Sequence, residues 1–172
     1  MSYIMIDIES DGPIPGDFSM ISIGAVIVES KLERVFYAQL KPISDNFISK
    51  SLSVSGFTRE ETLSFEDPLN VMNKFEKWIL KNSKGKHQFI SDNNGFDWQF
   101  INWYFHHFTS KNPFGYSSIN LGSLYKGMEK DMFINFKHLR KTDHTHNALD
   151  DAKGNAEAFL IMKNKLGLKI EF

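Results

Sequence analysis

The chain has 172 residues, no cysteine and a formal net charge of −1. This length predicts one domain over residues 1–172, and the missing cysteines exclude disulfides, thiolate metal sites and a cysteine nucleophile. Without a large basic surplus, we expect contacts with only a few phosphates, although nucleic acid stays an acceptable partner if a metal neutralises some of the carboxylates. With no apolar stretch long enough to span a bilayer and no signal-peptide pattern, we expect a cytoplasmic protein without a membrane partner.

Three strands are predicted in the first quarter of the chain, at residues 3–9, 20–30 and 33–43. The first ends in SDGPIPGD at 10–17, whose glycines and prolines cannot continue a strand. The second and third are expected to pair as a hairpin. Residues 44–66 give no clear pattern, although Thr58 followed three residues later by Glu61 indicates the start of a short helix.

The remaining chain alternates helices with a strand. The predicted elements are a helix from Asp67-Pro68 to Lys84-Gly85, a strand at 87–91, and helices at 96–108, 120–128 and Ala148 to about Leu166. Residues 109–118 are expected to form a loop with room for a short strand, and 131–146 an irregular, mildly basic segment. This order predicts an α/β fold, with a mixed sheet and helices on both of its faces.

Two carboxylates end the first predicted strand. Asp7 and Glu9 are two residues apart and therefore share one face of the strand, opposite Ile4, Ile6 and Ile8. Neighbouring carboxylates on a rigid strand repel each other unless a hard cation lies between them, and Mg²⁺ or Mn²⁺ is the usual cation. A strand that simply ends in solvated acidic residues explains the pair equally well.

A further acidic group lies in the run HNALDDA at 146–152. His146 and Asp151 would be separated by roughly 140° on one helix, so they converge only if His146 lies outside it. With Asn147 as the N-cap, Asp151 projects from the second turn and Asp150 complements the helix dipole. An acidic helix start with an incidental histidine is the alternative.

Other polar and aromatic groups have simpler explanations. His144 and His146 have a spacing found in zinc sites, but zinc is disfavoured because no third imidazole is evident. Asp92 is followed by two asparagines, as in a turn, and Asp97 is therefore preferred as a metal ligand. The remaining candidates are expected first of all to belong to the core or to the surface. For the aromatic ones, a surface on which nucleotide bases stack is the second explanation. These candidates are His106, His107, Trp98, Phe100, Trp103 and Tyr104.

Three motifs together resemble the DEDDh family of 3′-5′ exonucleases, which includes RNase T, oligoribonuclease and the proofreading subunit of bacterial replicative polymerase. The motifs are DIESDG at 7–12, NNGFD at 93–97 and the His-x4-Asp of residues 146–151. Ser10 and Asp11 stand where a threonine pair is frequent in the family. The resemblance covers nearly the whole chain and implies a ribonuclease H-like fold with a mixed five-stranded sheet.

The resemblance also implies a mechanism. Two Mg²⁺ or Mn²⁺ ions per active site would be held by Asp7, Glu9, Asp97 and Asp151, with Asp7 bridging them. His146 would take a proton from the attacking water. The substrate would be the 3′ end of single-stranded RNA or DNA, with RNA weakly preferred, and the products nucleoside 5′-monophosphates. Several relatives are homodimers, so a homodimer is possible here.

Substrate contacts follow from the same resemblance. The backbone after Glu9 would meet the terminal sugar, and an apolar wedge in the 11–18 loop would separate the last two bases. Ser55 replaces a histidine found in some relatives beside one wall of the pocket. Lys137, Arg140 and Lys141 are candidates for phosphate contacts, with a solvated face as the alternative. The residues that we expect to contact the substrate are Ser10, Ile14, Phe18, Gly56, Phe57 and Arg140.

Two other functions stay open. One is a nucleic-acid-binding or polymerase-associated proofreading module that has little activity alone. The other is a carboxylate metallohydrolase that acts on small phosphoesters such as dinucleotides. All five catalytic positions are filled in this sequence, which favours an active exonuclease over the binding module.

Overall fold

A five-stranded mixed sheet forms the centre of the computed structural model, which describes residues 1–171. The strands are β1 (Ser2–Ser10), β2 (Met20–Ile27), β3 (Val35–Gln39), β4 (His87–Ser91) and β5 (Ser118–Asn120). Their order is β3-β2-β1-β4-β5, antiparallel on the β3-β2-β1 side and parallel from β1 to β5. The predicted mixed five-stranded sheet is confirmed. Phe172, part of the predicted single domain, lies outside the described residues.

Six α-helices accompany the sheet in the described part of the chain. They are α1 (Ser49–Val54), α2 (Arg59–Leu63), α3 (Pro68–Asn82), α4 (Asn94–Tyr104), α5 (Leu121–Glu129) and α6 (Ala148–Leu166). Helix α4 runs into a π-helical turn at Phe105–Thr109, and Lys137–Leu139 forms one 3-10 turn. Within residues 1–171, none of these helices has the length and apolarity needed to cross a bilayer.

Side-chain caps fix the starts of two helices where the sequence predicts them. The Thr58 hydroxyl accepts a hydrogen bond from the Glu61 N–H at 3.2 Å, and the Thr58 N–H donates to the Glu61 carboxylate at 2.7 Å. The Asn147 side chain accepts from the N–H groups of Leu149 and Asp150, and α6 begins at the next residue, Ala148.

Some element bounds differ from the sequence predictions. Strands β2 and β3 are shorter than predicted because residues 28–34 form the connection between them, with Leu32 in the left-handed region at φ 53°. The segment 44–66, which has no clear sequence pattern, holds two short helices, α1 and α2. The helix predicted at 96–108 begins two residues earlier and changes to π-helical geometry at Phe105.

The two faces of the sheet carry separate cores. Residues Ile4, Ile6 and Ile8 of β1 lie in a core with α3 and α4, as their alternation predicts. Met5 points to the opposite face and packs with residues of α6 such as Phe159. The helices therefore cover both faces of the sheet, and the alternation along β1 puts Asp7 and Glu9 on the same face as α6.

Helix α6 approaches the sheet most closely at Gly24 of β2. Gly24 is the ladder partner of Asp7, and a Cβ atom at Gly24 would lie 2.2 Å from the carbonyl carbon of Ala148 and 2.3 Å from the Leu149 nitrogen. The missing side chain therefore lets the first turn of α6, which carries Asp151, rest directly beside the strand that carries Asp7.

We predict that Gly24→Ala destabilises the protein by about 1–3 kcal/mol or more, because the added methyl overlaps backbone atoms that cannot rotate away. Urea unfolding followed by circular dichroism measures the change. Gly127→Ala is the matched control, since Gly127 lies in α5 with no atom within 4 Å of an added Cβ. It should stabilise by about 0.5–1 kcal/mol. Equal stability of both variants would contradict the close approach.

Candidate active site

Three carboxylates meet where β1 ends and α6 begins. One oxygen from each of Asp7, Glu9 and Asp151 lies within 4.8 Å of the other two. Asp7 and Glu9 project from the same face of β1, and Asp151 projects from the first turn of α6. This set of oxygen ligands suits a hard divalent cation such as Mg²⁺ or Mn²⁺.

A fourth carboxylate, Asp97, comes from the first turn of α4 and is buried. Its Oδ1 accepts a weak hydrogen bond from the Ile8 N–H at 3.3 Å. Because Ile8 lies between Asp7 and Glu9 in the sequence, this bond fixes Asp97 beside the part of β1 that carries both acids. Its Oδ2 is buried and has no hydrogen-bond partner within residues 1–171. A buried, unpartnered carboxylate oxygen is costly unless a cation or water meets it, so the residues present fit a bound metal.

Burial and mutual repulsion raise the pKa values of these acids. Burial is the largest cause for Asp7, followed by the charges of Asp97, Glu9 and Asp151, and the pKa of Asp7 is well above its usual range. Burial is also the main reason that the pKa of Glu9 rises to about 8 and that of Asp97 to about 7. Near neutral pH the carboxylates therefore hold protons that a divalent cation can displace.

Asp151 is the most heavily bonded acid of the site. Its Oδ1 accepts from the Arg140 guanidinium at 2.8 Å and from the Thr145 N–H at 3.2 Å, and His144 Nδ1 lies 2.9 Å from the same oxygen. Its Oδ2 accepts from the His146 N–H at 3.0 Å. The buried carboxylate thus both faces Asp7 and Glu9 and fixes the 140–146 loop.

His146 lies outside α6, as predicted, and its side chain is exposed. Its backbone is in the left-handed region at φ 58°, which is uncommon for a residue with a side chain. This turn directs the N–H of His146 at the Asp151 carboxylate, and the imidazole packs edge-on against the His144 ring. An exposed imidazole next to a buried acid can exchange protons with water bound at the site.

Arg140 has a different position from that expected of a phosphate contact. Its side chain is only 6% exposed, and it donates to the carbonyls of Thr142 and Asp143 as well as to Asp151 and the Asn155 side chain. The guanidinium lies against the Asp151 carboxylate and is not at the surface, where a phosphate would contact it. A buried guanidinium of this kind compensates the charge of the buried acid.

A cavity of about 330 Å³ opens beside Glu9. Its floor comes from the chain that follows β1, at Ser10, Gly12 and Pro13, and α4 contributes Phe96. The wall on the far side is formed by α1 and the residue before it, through Ile48, Ser51 and Val54. Sequence reasoning missed this wall, although exposed apolar residues such as Ile48 and Val54 in a short polar segment were a usable signal.

The predicted substrate residues fall in several places. Ser10 lines the cavity, and its hydroxyl donates to the Gly12 carbonyl at 2.7 Å. Ile14 is 52% exposed at the outer side of the loop, and Phe18 fills the space where a Gly12 side chain would be. Gly56 and Phe57 do not line the cavity, and the Phe57 ring packs edge-on against Phe65.

A salt bridge joins the loop that follows β1 to the start of α2. The Asp11 side chain is fully buried and accepts from Arg59 Nη1 at 3.1 Å. The Asp11 carboxylate also accepts from the Ser19 N–H at 2.5 Å, and its carbonyl accepts from the Ile48 N–H at 2.8 Å. These bonds hold the loop after β1 and the start of α1 in one fixed arrangement.

Comparison with known proteins adds two sequence relationships. Residues 2–162 match a family described as the 3′-5′ exoribonuclease Rv2179c-like domain. The chain is also 36% identical over 172 residues to the 3′-5′ DNA exonuclease Cap18 of Escherichia coli, an alignment that covers 93% of this chain and 90% of the relative.

Solved structures share the fold at lower sequence identity. The nuclease domain of 3′hExo, a DEDDh family member solved with rAMP, has a TM-score of 0.72 at 20% identity and covers 99% of this chain and 96% of that one. E. coli Exonuclease I, solved with a dA16 oligonucleotide, has a TM-score of 0.74 at 16% identity over 95% of this chain and 41% of its own. The predicted ribonuclease H-like α/β fold is confirmed.

The raised pKa values predict how stability depends on pH. Between about pH 4 and 8 the folded, metal-free protein binds more protons at Glu9 and Asp97 than the unfolded chain does, so its free energy of unfolding falls as the pH rises. We expect Asp97→Asn to reduce this fall. Urea unfolding in chelator at about pH 6 and about pH 8.5 measures it.

The matched control is Asp17→Asn, an exposed acid outside the cluster, which should leave the slope unchanged. Millimolar Mg²⁺ or Mn²⁺ should raise stability most at the higher pH, where the metal competes with the fewest protons. A metal-free protein whose stability rises steadily through this range, with or without Asp97, would contradict the arrangement of acids.

Proposed function

We propose, from the premise that this chain belongs to the 3′-5′ exoribonuclease Rv2179c-like domain family of exonucleases, that it hydrolyses single-stranded nucleic acid from the 3′ end by a two-metal mechanism. The products are nucleoside 5′-monophosphates. The observation that carries the proposal is the meeting of β1, α4 and α6 at four acids, with His146 beside them.

Asp7, Glu9, Asp97 and Asp151 would hold two Mg²⁺ or Mn²⁺ ions, which stabilise charge on the attacking and leaving oxygens of the phosphodiester. Asp7 is suited to bridge the two ions because the charges of the other three acids all act on its carboxylate. Asp97 contributes its Oδ2, which is buried and makes no hydrogen bond in the described part of the chain. Asp151 is held in place by Arg140, so its orientation does not depend on the metal.

His146 is the proposed general base. Its imidazole is exposed, its backbone N–H is bonded to Asp151, and a nitrogen of its ring lies within 4.8 Å of an Asp151 carboxylate oxygen. An imidazole can accept a proton from the attacking water near neutral pH. General base catalysis of this type contributes about 10²- to 10⁴-fold to the rate.

The cavity beside Glu9 is the proposed site of the 3′-terminal nucleoside. Its volume of about 330 Å³ is at the lower end of the range for small-ligand sites, as a single nucleoside requires. Phe96, Ile48 and Val54 offer apolar contacts to a base, and Ser10 lies next to the acids where the sugar would be. Ile14, on the outer side of the loop, is the candidate wedge between the last two bases.

The proposal also concerns the sugar of the substrate, which is ribose in RNA and deoxyribose in DNA. The description of the family as exoribonucleases supports the weak preference for RNA, whereas the 36% identity to a DNA exonuclease favours DNA. We propose that both strands are cleaved and that RNA is cleaved somewhat faster. A contact to the 2′-hydroxyl would decide the difference. A cytoplasmic location and a homodimer remain parts of the proposal.

The first test is mutation of the acids and the histidine. Asp7→Ala and Asp97→Ala should abolish cleavage because each removes an oxygen ligand, while the fold is retained. His146→Ala should slow cleavage by about 10²- to 10⁴-fold and leave metal affinity nearly unchanged. The assay follows 5′-labelled RNA and DNA of matched sequence with Mg²⁺ or Mn²⁺, and calorimetry measures the metal affinity.

A ladder that shortens from the 3′ end, and that disappears with chelator, supports the proposal. Full activity of either acid variant would refute the site assignment. A loss of metal affinity in His146→Ala as large as in Asp7→Ala would make the histidine a ligand. No cleavage by the wild-type protein would favour the binding module, and cleavage restricted to dinucleotides would favour the small-phosphoester hydrolase.

The second test fills the cavity. Ser51→Trp, on the wall facing Ser10, should lower kcat/KM by roughly tenfold or more because the indole occupies the space of the terminal nucleoside. Ser53→Trp is the control, since Ser53 is on the same helix but exposed and outside the cavity. Equal activity of the two variants would show that the terminal nucleoside binds elsewhere.

A further inference from the structure

Asp151 belongs to two groups of potential metal ligands. In the first group its carboxylate lies with Asp7 and Glu9, and in the second it lies with the rings of His144 and His146. The ligand atoms within each group are all within 4.8 Å of one another. The first group offers oxygen atoms alone, whereas the second offers two imidazole nitrogens and one oxygen.

The histidine group has a geometry that a small rearrangement turns into a metal site. His144 Nδ1 is 2.9 Å from Asp151 Oδ1, and the centroids of the His144 and His146 rings are 4.3 Å apart. Zinc binds nitrogen and carboxylate oxygen at about 2.0–2.2 Å, which places tetrahedral ligand atoms roughly 3.3 Å apart. Both imidazoles are exposed, so their rotation to this spacing meets no packed core.

The third ligand is held by the rest of the fold. Asp151 is buried, and Arg140 and the Thr145 N–H bind its carboxylate from the side of the loop. The bond from the His146 N–H to the same carboxylate sets the backbone that carries one of the two imidazoles. Groups of this kind orient metal ligands before the metal arrives.

Two imidazoles and one carboxylate form a donor set that zinc prefers and Mg²⁺ does not. The sequence offers no third imidazole for zinc, and the structure supplies a buried carboxylate in its place. We propose that His144, His146 and Asp151 form a zinc-binding site, which shares Asp151 with the all-carboxylate group, and that zinc bound there inhibits the enzyme. The inhibition rests on the proposed function; the binding does not.

Inhibition would follow from two shared residues. Zinc bound to Asp151 competes with Mg²⁺ or Mn²⁺ for that carboxylate. Zinc bound to the His146 ring occupies the nitrogen lone pair that would accept a proton from water, so the general base is lost at the same time. Because Mg²⁺ binds imidazole weakly, excess Mg²⁺ should relieve the competition only in part.

The binding experiment uses the Asp7→Asn protein, which lacks one member of the all-carboxylate group. Zinc is titrated in competition with a chromophoric chelator, and Co²⁺ is titrated with detection of its visible absorption. We expect one ion per chain, and at least tenfold weaker binding when His144→Ala is added. His106→Ala, which removes an exposed histidine of the π-helical turn, is the control and should bind as before.

The activity experiment measures the effect of zinc on the cleavage rate separately for each variant. Cleavage of single-stranded RNA and DNA in Mn²⁺ is measured with and without micromolar zinc, and each rate is divided by the zinc-free rate of the same variant. Zinc should inhibit the wild-type and His106→Ala proteins by at least tenfold, and His144→Ala should lose most of this inhibition.

Each result of these experiments either supports or overturns the proposed zinc site or the proposed inhibition. Zinc binding that is absent, or equally strong after His144→Ala, overturns the site. Inhibition of His144→Ala as strong as that of the wild-type protein places the zinc on the carboxylates and overturns the proposed inhibition. If the wild-type protein cleaves neither strand, the proposed function fails, but zinc binding that depends on His144 still supports the site.

Discussion

The buried charge of Asp151 is the constraint on which the site depends. A carboxylate without solvent needs compensating donors, and the chain supplies Arg140 together with two backbone N–H groups of the 145–146 turn. Satisfying one acid in this way determines the path of the 140–146 loop and the left-handed backbone of His146. The first turn of α6 can then rest on β2 only because Gly24 has no side chain.

The acids opposite Asp151 are not compensated in the same way. Asp7, Glu9 and Asp97 face one another with no basic side chain among their hydrogen-bond partners in the described chain, and burial raises the pKa of each. The site therefore combines one acid stabilised by the protein itself with three that a cation or protons must stabilise. Such a site stores unfavourable free energy in the metal-free fold, and metal binding releases it.

Much of this could be read from the sequence because local rules apply to it. The alternation along β1 places Asp7 and Glu9 on one face, and the Asn147 cap separates His146 from α6. The role of α1 as a cavity wall could not be predicted, because six polar and apolar residues have no clear period. Only tertiary packing shows that the Arg140 guanidinium pairs with the buried Asp151 carboxylate, and its contact with phosphate stays a prediction.

The salt bridge between Asp11 and Arg59 has a consequence for the loop that follows β1. Separating this loop from α2 would leave a fully buried carboxylate without its cation, so the loop is tied to α2. Because Gly12 and Pro13 of the same loop line the cavity beside Glu9, the loss of a charge at α2 would reach the cavity through the backbone of the loop.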